Sequence, residues 1–122
     1  MVTIEFIPHK EQRYASLGDW QFQDGHILIK ISDTGNRYMN FLLAIHELVE
    51  AMLCDHVDIT DKQVDEWDFN YKGDEPGDDP KCPYYEQHAF ATIIEKLLCN
   101  QFGIDWRDYE NELEQIEEGG IG

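Results

Sequence analysis

Hydrophobic periodicity changes once along this 122-residue chain, from two residues to between three and four, and that change limits the class of fold the chain can adopt. Before Ser32 the pattern is that of strands. Val2, Ile4 and Phe6 alternate with Thr3 and Glu5, as in a half-buried strand, and Pro8 ends the run. Asp19 to Phe22 and His26 to Ile31 are two further β-prone runs, and the Asp24-Gly25 pair between them favours a tight hairpin turn. A small antiparallel three-stranded sheet at the N-terminus is therefore expected.

After Ser32 the period is helical. Ser32 to Asn36 supplies turn and capping side chains, and residues 38 to 54 predict a long helix central to the core. Its apolar stripe reads as Phe41, Ile45, Leu48 and Met52, with Leu42, Val49 and Leu53 beside it. A weaker helical segment spans about Thr60 to Trp67. Residues 68 to 83 hold three of the four prolines and read as a loop. A second long helix follows from Tyr84 to Phe102, stopped by Gly103. A third, acidic helix is expected from Asp105 to Glu117, with Trp106, Tyr109, Leu113 and Ile116 at helical spacing, and the closing residues Gly119 to Gly122 are expected to fray. The expected class is α+β: one domain over 1–122 in which the sheet packs on two long helices plus a C-terminal helix. A hydrophobic content of 42% supports a packed core.

Charge excludes some partners. Nine Lys and Arg against 26 Asp and Glu give a formal net charge of -17, without a basic cluster to follow phosphates, so direct nucleic-acid binding is disfavoured. An acidic decoy that imitates DNA, of the kind a phage or mobile element would carry, is the exception that charge allows. Cys54, Cys82 and Cys99 are odd in number and lack CxxC spacing, which favours a reducing compartment over a disulfide framework. With neither a signal-like start nor a membrane-length apolar run, the expected location is cytoplasmic.

The chemistry concentrates on His46-Glu47-Leu48-Val49-Glu50. Four residues apart on a helix, His46 and Glu50 project from one face and can hold a single divalent ion. Two histidines compete to be a third ligand. His56 lies six residues after Glu50, but Leu53 stands where a chain turning out of the helix would want glycine. His88 is favoured, because Glu95 shares its angular stripe on the second long helix among apolar neighbours. Facing His46 and Glu50, the two would complete a set of two histidines and two carboxylates.

Three strands feeding a long helix with this motif resemble a small zincin-like metallopeptidase domain, over about half the chain. The resemblance implies that His46 and Glu50 are metal ligands and that Glu47 is the general base. The chain departs from the family at Glu50, where histidine is usual; a carboxylate there suits zinc but also iron, manganese or nickel. A metal-dependent hydrolase acting on a peptide or small molecule follows as the expected function. In it Glu47 takes a proton from a metal-bound water, Glu95 orients His88 or completes the coordination, and Tyr84 or Tyr85 donates to the developing oxyanion.

Plainer alternatives belong beside this reading. His46, Glu50, His88 and Glu95 would also serve as a purely structural cluster joining two helices. Asp74, Glu75, Asp78 and Asp79 could attract calcium but match no EF-hand spacing. Cys99 reads as a small buried hydrophobe, and His9 and His26 carry no assigned role. The aromatic residues Trp67, Phe69, Tyr71, Tyr84 and Tyr85 around the loop could line a cleft, although such residues more often pin a loop to the core.

Overall fold

The computed structural model describes residues 1–73 and 75–119. Among these residues it holds three strands, β1 (Val2–Ile7), β2 (Gly18–Gln23) and β3 (His26–Ser32). Four helices follow, α1 (Arg37–His56), α2 (Asp61–Asn70), α3 (Tyr85–Gln101) and α4 (Trp106–Gly119), with short 3-10 turns at His9–Glu11 and Pro76–Asp78. Asp74 and residues 120–122, which bear on the calcium and fraying expectations, lie outside the described residues. No described helix is long and apolar enough to cross a membrane.

The sheet is mixed, which corrects the all-antiparallel expectation. Its order is β1-β3-β2, with β2 antiparallel to β3 but β1 parallel to it. The hairpin forms as expected: Asp24 and Gly25 both take positive φ, 49° and 79°, and Gln23 pairs with His26. β1 joins differently because β3 carries the best-buried apolar set, Ile27, Ile29 and Ile31, and so takes the middle position. The connection from Pro8 to Leu17 crosses the end of β3, where the Gln12 amide donates to Leu17 O, Lys30 O and Ser32 Oγ. At the sheet edge Val2, Ile4 and Phe6 keep 39–47% of their surface exposed, more than a half-buried strand would.

Helix starts follow their capping chemistry. The Asn36 side chain accepts from the backbone N–H groups of Tyr38 and Met39, and Thr60 with Gln63 forms a reciprocal capping box on α2. α1 lies against β2 and β3, burying Leu43, Ala44, Ala51 and Cys54 with Trp20 and the three isoleucines. A second cluster, Met39, Leu42, Cys99 and Tyr109, fastens α4 to the α1–α3 pair.

The buried face of α1 only partly matches the predicted stripe: Leu42 is buried and Leu48 packs on the core, but the stripe as a whole does not face inward. Its inward positions are Met39, Leu42, Leu43, His46, Glu50 and Cys54, while Phe41 and Met52 remain 42% and 49% exposed. The helix is rotated so that polar His46 and Glu50 face inward. Buried ionisable groups survive only with partners, and these two have them.

Candidate metal centre

α1 and α3 pack side by side and in opposite directions: Phe41 touches Phe102 at one end, and Leu53 and Phe90 line one depression at the other. Two polar pairs therefore meet between them. On α1 the four-residue spacing sets His46 Nε2 3.2 Å from Glu50 Oε2. From α3, His88 Nδ1 arrives 2.8 Å from Glu50 Oε2 and 3.2 Å from His46 Nε2. The three atoms form a nearly equilateral triangle. Ligands bonded at about 2.1 Å to one ion stand about 3.0 Å apart in an octahedron and about 3.4 Å apart in a tetrahedron. His46, Glu50 and His88 can thus hold one metal ion, and they form the group of metal-capable side chains found among the described residues.

The other atoms of these side chains are held from outside. His46 Nδ1 donates to Glu95 Oε1 at 2.7 Å, and Tyr109 OH donates to Glu95 Oε2 at 2.5 Å. With Nδ1 carrying the hydrogen, a neutral His46 turns its Nε2 lone pair into the triangle. His88 Nε2 lies 3.2 Å from Asp78 Oδ1, which leaves Nδ1 facing inward. Glu50 Oε1 accepts from the Trp20 indole N–H at 3.0 Å, so β2 fixes the carboxylate that α1 presents. Glu95 thus bonds His46 and not His88, and it lies outside the group of three converging atoms. Glu95→Gln is expected to weaken metal binding about 10- to 100-fold, measured by competition against a chelating dye; unchanged affinity would remove it from the centre.

Burial and charge set the protonation of the metal-free site. Burial works against protonated His46 and His88, but the carboxylates beside them outweigh it, Glu50 and Glu95 for His46 and Glu50 for His88, and both rise above the ordinary 6.5. Burial would raise Glu50, yet the two imidazoles outweigh it and hold it at about 2. The carboxylates thus favour protons on the imidazoles that a cation would displace. Glu47 sits beside this group with Oε2 4.0 Å from His46 Nε2, and burial, then the neighbouring Glu50 charge, push it well above 4.5. Two glycines let backbone approach: a Cβ on Gly18 would lie 2.6 Å from Glu47 Cδ, and one on Gly77 would lie 2.6 Å from His88 Cγ. Of the three converging side chains His88 is the most exposed, at 17%, under the Pro76–Asp78 turn.

Other sequence expectations fall into place around this centre. Tyr84 is buried, but its hydroxyl donates to Asp68, which burial raises to about 7 against the opposing Tyr84 bond. Tyr85 is 38% exposed and faces Pro80 and Pro83. Neither presents its hydroxyl to the triangle. His56 lies at the exposed end of α1, lining a depression with Leu53 and Val57, and does not join the site. Trp67 pins the loop by donating to Pro76 O, and Asp78 engages His88. All three cysteines are buried thiols. Trp20, Asp78 and Tyr109 were not singled out for the site from sequence; Tyr109 showed only as an apolar position on an acidic helix.

No protein-family model matches the chain, and neither a curated protein nor a solved structure matches it.

Proposed function

We propose that this chain binds a divalent transition metal, zinc before iron, manganese or nickel, through His46 Nε2, Glu50 Oε2 and His88 Nδ1, and that it is a zincin-like metal-dependent hydrolase. One observation carries the reading: three donor atoms from two helices converge within 2.8–3.2 Å, and the remaining polar atom of each donor is engaged by a separate partner.

An ion held there would act as a Lewis acid on a substrate carbonyl and acidify a water. Glu47, whose Oε2 lies 4.0 Å from His46 Nε2, would take that water's proton. A carboxylate whose pKa is raised by burial is a stronger base than an ordinary one. Glu47→Gln is expected to keep its metal and lose about 10²- to 10⁴-fold in hydrolysis, read by metal analysis together with turnover on a mixed panel of peptides and small amides. Full turnover in this variant would reject Glu47 as the base.

The burial of the centre favours a second reading. His46 and Glu50 are only 7% and 5% exposed, as befits a metal that holds a binding module together. In that case chelation lowers the unfolding temperature, and no substrate on the panel is turned over by the metal-loaded protein.

A further inference from the structure

Turning His46 and Glu50 inward puts large apolar side chains outside. Phe41 and Met52 of α1, Phe90, Ile93 and Leu97 of α3, and Phe102 after it are 39–60% exposed. They belong to one two-helix face. Phe102 contacts Phe41 at one end, and Phe90 shares a depression with Leu53 and Val57 at the other. We infer that this α1–α3 face is the contact surface of a homodimer, met by the same face of a second copy of the chain.

Area supports a protein-sized contact. At about 200 Å² for a fully exposed large side chain, these six present about 600 Å², and Tyr38 and Val57, 45% and 49% exposed, extend the patch at its ends. With these two the patch reaches about 800 Å², the area a specific interface buries on each partner, whereas the largest patch on a typical monomer is about 300–600 Å².

The distribution of charge selects the partner. The chain carries 26 acidic residues, yet between Phe41 and Met52 the acids, Glu47 and Glu50, turn into the metal centre. Between Phe90 and Leu97 the charged residues are Glu95, bonded to His46, and Lys96, over the Trp106 ring. Glu86 and His56 line the depression beside Phe90, and Arg37 lies over Tyr38, so charge stands at the two ends of the patch and not at its middle. A surface built for a basic partner would place acids among its apolar groups. A twofold contact must exclude them, because each charge near the axis meets its own copy.

Sedimentation of the full chain from about 1 to about 200 µM, in low and in high salt, tests the assignment. The expected result is a monomer–dimer equilibrium that tightens with salt, as the repulsion between two copies of charge -17 is screened. Leu97→Glu is expected to raise the dissociation constant at least about 100-fold with a thermal melt unchanged at concentrations where the parent is monomeric, since Leu97 is 60% exposed. Ile93→Glu provides an independent second variant. A monomer throughout, a dimer that loosens with salt, or a dimer unaffected by both substitutions would overturn the assignment. So would a monomer that takes up a basic amphipathic peptide on this face.

Discussion

Zinc at about a thousandfold excess over its dissociation constant is expected to raise the unfolding midpoint of this protein by about 15 °C. Linkage at that excess supplies about 4 kcal/mol, and for a 122-residue chain each kcal/mol moves the midpoint by about 4 °C. Calorimetry with and without a chelator reads the shift. His46→Ala should abolish most of it, since a structural zinc site yields about 10–16 kcal/mol from four ligands and the loss of one is worth roughly 100-fold or more in affinity. His56→Ala, at the exposed end of α1, should leave the shift intact and controls for adventitious histidine binding. A zinc-induced shift that persists in His46→Ala would reject the site, whatever the protein's activity.

The largest effect on the metal-free protein is expected from Glu50→Ala. Glu50 bonds both imidazoles and the Trp20 indole, so its removal strands two buried groups that it helps keep protonated. Breaking a buried pair in this way costs about 3–5 kcal/mol, a large share of a typical domain's stability. The pH dependence follows from the directions of the shifts. Glu50 is depressed from 4.5 to about 2, so its contribution is present above 4.5 and is lost as pH falls toward 2. His46 is raised above 6.5, so its contribution is full below 6.5 and is lost as pH rises through the raised value. Metal-free stability should therefore peak between these limits, and Glu50→Ala should flatten both limbs in denaturant titrations. With saturating zinc the alkaline limb should reverse, because deprotonated imidazoles bind metal better. An acid limb as steep in Glu50→Ala as in the parent would show that other carboxylates govern it.

Local signals were legible in the sequence, and long-range choices were not. The hairpin at Asp24-Gly25, the caps at Asn36 and Thr60 and the stop at Gly103 depend on neighbouring residues, and each lies within a few residues of its expected place. The four-residue spacing of His46 and Glu50, and the stripe shared by His88 and Glu95, were likewise visible because helix geometry is regular. Parallel pairing of β1 with β3 depends on which strand takes the centre of the sheet, a choice among segments far apart in sequence. The rotation of α1 has a related cause: paired ionisable groups occupy its core side, and much of its most apolar stripe is left partly outside. Which nitrogen Glu95 would engage required the offset between α1 and α3, which no spacing within one helix supplies.

Trp20 grips Glu50 from the second strand, and Tyr109 grips Glu95 from the last helix. A fragment that ends at α3 holds all three converging donors but leaves the Glu95 carboxylate short of one hydrogen bond, and a fragment that starts at α1 loses the clamp on Glu50. During synthesis the hairpin and α1 can form while the rest of the chain is still emerging, since their contacts are local. The hydrogen bond that completes the Glu95 carboxylate must wait for α4. If the chain binds metal as proposed, its tightest uptake is therefore expected only after α4 has docked, rather than at the start of folding.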